Sequence, residues 1–382
     1  MLTLYKFELR KIISRKIVWI TGGVLLVGLV IWGIASAVLP QNREYSDSSL
    51  NGYAANRAEQ EAAEQISGRA IDQKLIDEMR PAYEDFIFNG NYKEALPYLD
   101  VYNFIGRTLG TQAGAEILVC DSEAFYEKLN AQLEANTPAG LTESISFDEP
   151  IVYHGYFDGW RQIADMMKLI TCMEIMFIAI CLSTVFTVEH TRKTDQVILC
   201  TRLGKKKLYA AKTLAGLTVG VGFTLLLSLL MFGIIAFLYG FDGYDTILQF
   251  VLLRPFNLTV GQAALILVGL SFAGAALISI FTMMLSEVTK NSIATIGIIT
   301  GVLLVTMFIM EMPANLKLLS EIWYLLPSNL VSLNGVFRYS MFHVGGSPLA
   351  AYQYAPIVYL VLAVIFALIG KLTYNRYQIN GR

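Results

Sequence analysis

Near the middle of the chain lie parts of a phosphate-binding motif and of a zinc-binding motif. The spacing of their residues completes neither of them. The step Gly204-Lys205 lacks the glycine five positions earlier that a phosphate-binding loop needs, because Leu199 is found there. No Ser or Thr follows the lysine to bind Mg²⁺. Glu189-His190 is not followed by a second histidine one helical turn later, so a zinc-protease motif is absent. We therefore predict that this chain does not bind ATP by that route.

The other reactive side chains are scattered. His154, His190 and His343 fall in three separate segments, and no serine has the G-x-S-x-G spacing of a hydrolase nucleophile. The cysteines form no C-x-x-C pair and no Cys/His cluster. We predict no catalytic site, no metal site and no cofactor, so the chain is not expected to be an enzyme.

A different kind of function is indicated by residues 186–212, which read FTVEHTRKTDQVILCTRLGKKKLYAAK. This segment lies between two apolar runs and carries seven basic residues against Glu189 and Asp195. A short basic loop between membrane spans stays in the cytoplasm, because translocating Lys and Arg is unfavourable. Val197, Ile198 and neighbouring leucines add a small apolar surface. We expect an amphipathic element that contacts a partner.

The composition identifies the elements that must hold this loop. Of 382 residues, 55% are apolar and only 16% are charged, whereas soluble domains carry about 25% charged residues. Runs of about twenty apolar residues cross the hydrocarbon core. Six such runs occur, at 17–39, 166–188, 213–239, 261–285, 292–312 and 352–370. The basic residues border these spans, which predicts cytoplasmic termini and no nucleic-acid partner.

Two segments flank the first span. Residues 1–16 have an amphipathic pattern, with an apolar stripe and mostly basic residues off it. This segment either fixes orientation only or forms an interfacial helix, and the length of the stripe favours the helix. Residues 40–165 are rich in acidic and aromatic residues and long enough for a small core. Helices are predicted at 56–88 with a break near Pro81, at 95–109, and from Asp121 or Ser122 to about 135.

The sequence thus predicts an all-α polytopic membrane protein with six transmembrane helices and a large, mainly helical extracellular domain between helices 1 and 2. Glu174 lies about two turns into the second span, where an ionisable residue is costly. It either lines a substrate path, pairs with a partner span, or reaches the outer headgroup region. Residues 313–351 are too apolar for a free loop, yet Pro313 and Pro327 interrupt any spanning helix. Two short helices in the outer leaflet fit this pattern.

The basic loop resembles the segment between the second and third spans of type-2 ABC-transporter permeases. In that family an acidic residue after the second span precedes a threonine-led apolar turn, a small-Arg-apolar-Gly-basic step and a lysine that opens the third span. Here these elements are Glu189, residues 194–199, residues 201–205 and Lys212. Lys193 departs from the pattern, since the family often has Gly there.

The resemblance covers residues 1–39 and 166–382 and leaves 40–165 as an insertion. It implies outer re-entrant helices at 313–351, a second permease subunit as a homodimer or heterodimer, and separate ATPase subunits. ATP-driven closure would push on loop 189–212 and open an outward path, in a bacterial plasma membrane. The residues implied for the ATPase contact are Glu189, Leu199, Arg202, Leu203, Lys205 and Lys206.

Two other classes stay open at this point. A membrane-anchored receptor, sensor or immunity protein would bind a peptide through residues 40–165, whose acidity suits a cationic ligand. A membrane enzyme would need clustered His, Asp or Cys near one leaflet, and no such cluster is found. The cargo of a transporter is equally open, with peptide antibiotics, lipids, sodium and polysaccharide precursors all compatible with the resemblance.

Overall fold

A computed structural model shows an all-α protein. It describes residues 2–39, 51–110, 117, 119–137, 145–191, 207–309, 312, 316–338, 341–344 and 347–376. In chain order, the elements named here are α1 (Leu2–Ile13), α2 (Lys16–Val38), α3 (Gly52–Glu64), α4 (Gln73–Asn89), α5 (Leu99–Leu109), α6 (Ser122–Ala135), α7 (Asp158–Leu182), α8 (Thr184–Thr191), α9 (Lys207–Leu238), α10 (Val260–Thr289), α11 (Ser292–Phe308), α12 (Lys317–Tyr324), α13 (Pro327–Leu330), α14 (Leu333–Val336), β1 (Phe342–Val344), β2 (Ser347–Leu349) and α15 (Ala351–Arg376).

Five of the described helical segments are long and apolar enough to cross a membrane: α2, α7 with most of α8 (to Glu189), α9, α10 and α15. α2 exposes large apolar side chains such as Trp19 (68% exposed) and Val24 (66% exposed). In water this would be unfavourable, whereas a helix in contact with lipid needs an apolar surface. The chain is therefore a multi-pass membrane protein.

The span predicted at 292–312 is shorter than expected. α11 begins after Asn291, whose side chain accepts hydrogen bonds from the backbone N–H groups of Ile293 and Ala294. The helix ends at Phe308 because Ile309 has an extended backbone, with φ −95° and ψ 97°. At 17 residues, α11 falls below the length of the five spans above. A sixth crossing therefore stays a prediction.

α7 is the central helix of the bundle and packs against α2, α9, α10 and α11. It begins at Asp158, eight residues before the predicted start at 166. Hydropathy excluded this first part because it carries charged residues, among them Arg161 and Asp165. The structure shows that these two turns extend the helix out of the bundle, where Trp160 donates to the carbonyl of Phe241 at 2.9 Å.

The segment between α2 and α7 forms an insert domain of four described helices, α3 to α6. The break in the first predicted helix is at residues 65–72 and not at Pro81, which lies inside α4. Gly68 explains the position of the break: it has φ +78°, a left-handed conformation that favours glycine. Its N–H bonds the carbonyl of Tyr153, and Ala70 forms a β-bridge with Val152. The predicted helix at 122–135 is confirmed, with Asp121 as its N-cap.

The insert domain packs on the end of the bundle where α9 finishes and α10 begins. The ring of Phe104 stacks on that of Phe250 at 4.4 Å, and Arg107 donates to the carbonyls of Phe250 and Val251. Asn56 donates to the carbonyl of Leu238, the last residue of α9. These contacts fix the insert domain at the end of the bundle opposite to the start of α9.

Within 316–349, the described residues form three short helices, α12 to α14, and an antiparallel pair of strands, β1 and β2, where two short helices were predicted. α13 packs against α7, α10 and α11, so this segment is inserted into the bundle. Leu330 and Val331 are fully buried there. The side chain of Asn329 donates to the carbonyl of Trp323 at 3.0 Å, which satisfies polar groups at a depth where water is scarce.

Candidate functional site

The two ends of the basic loop meet α1 at one end of the bundle. Glu189 lies near the end of α8, which leads into the loop, and Lys212 lies in the second turn of α9, which follows it. Lys11 occupies the last turn of α1. Because α1 packs along α9, its last turn comes to lie beside both loop ends.

These residues form a buried ion cluster. Lys11 Nζ donates to Glu189 Oε1 at 2.8 Å, and Lys212 Nζ pairs with Glu189 Oε2. Glu8 adds a second carboxylate 3.7 Å from Lys11. Lys212 is fully buried, while Glu189 and Glu8 are 6% and 3% exposed. Removing such charges from water costs several kcal/mol per ion, so each depends on its partners in the cluster.

Aromatic rings line the buried side of the cluster. The ammonium group of Lys212 lies 4.9 Å from the ring centroid of Phe186, close enough for a cation–π interaction. Phe186 in turn stacks on Tyr209 and contacts Tyr374 edge to face. Tyr209 donates to the carbonyl of Ala367 at 3.1 Å. The cluster is thereby connected to α15 as well as to α8 and α9.

α1 and α2 are also attached directly to the helices that flank the loop. Tyr5 and Thr218 of α9 share a hydrogen bond of 3.0 Å between their hydroxyls. Arg15, just before α2, donates to the hydroxyl of Thr184 at the start of α8. A displacement of the loop would therefore move α1, α8 and α9 together.

A single turn residue, Ser183, divides the long helix that leads to the loop. α7 and α8 are separated at Ser183, whose carbonyl accepts hydrogen bonds from the hydroxyls of Thr187 and Ser286. Side-chain hydroxyls that bond a helix carbonyl satisfy it inside an apolar bundle. Ser183 keeps helical backbone angles, with φ −53° and ψ −28°, so α7 passes into α8 without leaving the helical conformation.

The structure locates only one of the residues predicted to contact an ATPase. Glu189 is buried among lysines of its own chain, which suits holding the base of the loop. The other predicted contact residues, Leu199, Arg202, Leu203, Lys205 and Lys206, lie outside the described residues. Three residues of this cluster, Lys11, Glu8 and Phe186, were not among the functional residues predicted from the sequence. One sequence feature could have indicated the cluster: Glu8 is the single acidic residue in the basic segment 1–16.

Glu174 lies in a second polar site, deep in the bundle. Its Oε2 accepts hydrogen bonds from the hydroxyls of Thr224 in α9 and Ser271 in α10, each at 2.9 Å. Among the described residues, its Oε1 has no hydrogen-bond partner. A Cβ added at Gly274 would lie 3.9 Å from this oxygen and 3.1 Å from Pro327 of α13. The carboxyl group thus joins three helices beside the inserted short helices.

A third group of polar residues lies where the insert domain meets α7. A cavity of 330 Å³ is lined by Glu59, Asp100, Asp158 and Arg161, among others. Tyr153 donates to Asp100 Oδ2 at 2.6 Å. Burial, together with the nearby charge of Asp158, raises the pKa of Asp100 to about 7. Among the residues that the structure describes, no group of His, Cys, Asp or Glu is arranged to hold a metal ion.

This pKa predicts a pH dependence of stability. Between pH 3.8, the ordinary pKa of an aspartate, and about 7, folded Asp100 keeps a proton that the unfolded chain has lost, so stability falls as pH rises through this window. We expect the melting temperature to decrease from pH 5 to pH 8, by roughly 2–4 °C for each kcal/mol. Asp100→Asn should flatten this part of the profile in thermal unfolding. An unchanged slope in the variant would assign the dependence to other groups.

Comparisons with known proteins agree with this architecture. A family model described as ABC-2 family transporter protein matches residues 2–322, which includes α1, the insert domain and the loop between α8 and α9. The match therefore also covers residues 40–165, which were expected to lie outside the resemblance. No curated protein and no solved structure matches the chain.

Proposed function

Since the chain belongs to the ABC-2 transporter family, we propose that it is the membrane-spanning permease subunit of an ATP-driven exporter. A separate ATPase subunit would drive it through the cytoplasmic loop 189–212, and a second permease subunit, identical or different, would complete the transport path. The insert domain would then face the cell exterior, with both termini in the cytoplasm of a bacterial cell. The family is a transport membrane component and not itself catalytic, so ATP hydrolysis would occur in the partner.

The buried ion cluster is the observation that carries this proposal. A partner can push helices only through a base that does not deform. The loop begins and ends at Glu189 and Lys212, which are paired with each other and with Lys11 of α1. Because the pair is shielded from water, it resists separation far better than an exposed ion pair would. A load on the loop would therefore reach α7 and α9 together.

The apolar residues of the loop provide the first test. Leu199→Asp with Leu203→Asp places charges on the surface proposed to pack against the ATPase. We expect transport to fall at least tenfold while the ATPase retains its own hydrolysis, because desolvating two new carboxylates opposes the contact. The measurement combines co-purification of the two subunits with ATP-driven transport into inverted vesicles.

A matched control uses exposed apolar residues far from the loop. Phe88 and Val119 of the insert domain are 80% and 81% exposed, so Phe88→Asp with Val119→Asp adds the same charges at the other end of the molecule. This control should retain coupling. Normal transport and normal co-purification in the loop variant would contradict the proposal.

We also propose that Glu174 belongs to the transport path. In the present conformation it is fully buried and packed among α7, α9 and α10. A substrate would therefore reach it only after these helices separate. Support comes from the cost of a carboxyl group with one unpaired oxygen at this depth, which is unusual without a functional role.

A further inference from the structure

A cavity of 490 Å³ lies between α11 and α15, at the level of the spanning helices. Its floor consists of buried residues such as Ile175 of α7 and Ile299 of α11, each 4% exposed. Its mouth is formed by Ile298, Val302 and Ile322, which are 45%, 46% and 54% exposed. The cavity therefore opens sideways, through the apolar outer surface of the bundle.

The lining of the cavity excludes polar ligands. Apart from Ser328, every side chain that lines the cavity is aliphatic, aromatic or proline. The hydroxyl of Ser328 already donates to Thr306 Oγ1 at 2.9 Å, so it offers little to a ligand. Apolar cavities of this kind stay dry, and an empty one loses dispersion contacts on every wall. The occupant must be apolar.

The dimensions suit one fatty acyl chain. The volume corresponds to about sixteen water-sized units, and a methylene group is of similar size. On α15 the lining runs from Val358 to Phe366, which is about 12 Å of helix at 1.5 Å per residue. One end is closed where Phe281 meets Phe366, with ring centroids 5.0 Å apart. The other end is closed where Tyr359 donates to the carbonyl of Leu325 at 2.8 Å, so a chain enters through the lateral mouth, at Ile322, the residue after Glu321.

A polar group lies beside the end of the cavity nearer to the insert domain. Arg338 donates to Glu321 Oε2 at 2.8 Å and to the hydroxyl of Tyr354 at 3.3 Å. Tyr354 precedes Val358 by one helical turn, so it lies on the same face of α15. The Arg338 side chain is only 9% exposed and lies 4.5 Å from the ring centroid of Tyr324, whereas the Glu321 side chain is 46% exposed. The exposed carboxylate of Glu321 matches the ammonium of a zwitterionic head group.

We propose that this cavity is a phospholipid site. One acyl chain fills the space between α11 and α15, and the ammonium of a phosphatidylethanolamine head group contacts Glu321. The bound chain packs against Pro327 of α13, so it supports the inserted short helices from the lipid side. This site goes beyond the proposed transport function, since a bound lipid of this kind is part of the resting structure.

A helix from a second copy of the chain is the competing occupant. Packing of a helix needs a continuous groove at an interaxial distance of about 8–10 Å. The contacts that close both ends of this cavity interrupt such a groove. The lipid is therefore favoured, and the second copy is an outcome that the test distinguishes.

The test uses the full chain in vesicles of phosphatidylethanolamine and phosphatidylglycerol, in which the ethanolamine lipid carries a photoreactive diazirine in one acyl chain. After illumination, labelled peptides are identified by mass spectrometry. We expect label enriched at residues 298–303 and 358–366 over the exposed face of α2. Val302→Trp, which fills the mouth, should reduce this label at least fivefold. Val305→Trp is the control, because Val305 is on the same helix and 48% exposed but does not line the cavity.

A second pair of variants, on α15, tests whether a loss of label results from misfolding of the first variant. Leu362 lines the cavity, whereas Leu360 is 67% exposed and does not. Leu362→Trp should reduce the label and Leu360→Trp should leave it unchanged. Uniform labelling of α2, α11 and α15 that ignores both filling variants would overturn the proposal. So would an oxidised Val302→Cys variant that forms a disulfide-linked dimer in native membranes, since the cavity would then face a second copy.

Discussion

Glu189→Gln is expected to lower the free energy of unfolding by about 3–5 kcal/mol, the cost of leaving a buried charge without its partner. Lys212 is fully buried, and Glu189 is the carboxylate that it pairs with among the described residues. A glutamine amide retains the size of the side chain but provides no negative charge. Thermal unfolding in detergent measures the loss, and ATP-driven transport should fall with it because the ends of the loop are no longer held together.

A double variant separates the ion pair from a general packing defect. Lys212→Met removes the second charge and retains the length of the side chain, so Glu189→Gln with Lys212→Met should be more stable than Glu189→Gln alone. Replacing a buried pair by apolar groups is often neutral for stability. If the double variant were as unstable as the sum of both single variants, the pairing energy would be negligible and the mechanical role of the cluster would be excluded.

Glu174→Leu is expected to lower transport at least tenfold without a loss of stability, whereas Glu189→Gln is expected to lower both. Its carboxyl group is buried with Oε1 unpaired, so removing it relieves a desolvation cost of about 1–3 kcal/mol, which offsets the loss of the acceptor of Ser271. Thr224 keeps an acceptor after the change, because its hydroxyl also bonds the carbonyl of Gly220 at 3.3 Å. Transport in vesicles and thermal unfolding of the same preparation are the two measurements.

The conservative variant indicates which property of Glu174 matters. Glu174→Gln keeps an oxygen that can accept from Thr224 and Ser271 but has no charge and no exchangeable carboxyl proton. Loss of transport in both variants would assign the role to the carboxyl group itself. Full transport in Glu174→Leu would show that the residue only joins helices, which would remove it from the proposed path.

The insert domain shows how far local sequence signals extend. Asp121 predicted the start of a helix correctly because a side chain that accepts from the first turn is a local interaction. The break of the first helix was placed wrongly at Pro81. It occurs at Gly68 because residues 68–71 bond a strand-like segment around Tyr153, which is far away in the sequence. Proline in a helix costs about 3 kcal/mol, an amount that tertiary packing of α4 can offset.

By itself, the sequence determined that this is a multi-pass, all-α membrane protein, where its long helices lie, and which loop is basic with an apolar surface. These properties depend on hydropathy and charge over neighbouring residues, and the bilayer acts on each apolar run almost independently. Only the tertiary structure decided that Glu189 is directed to Lys11 and Lys212, that Glu174 joins three helices, and that α11 and α15 enclose a cavity. Each of these results depends on the rotation and packing of helices that are distant in sequence. Lipid is as apolar as a neighbouring helix, so an apolar stripe does not specify which side of a helix faces its neighbours.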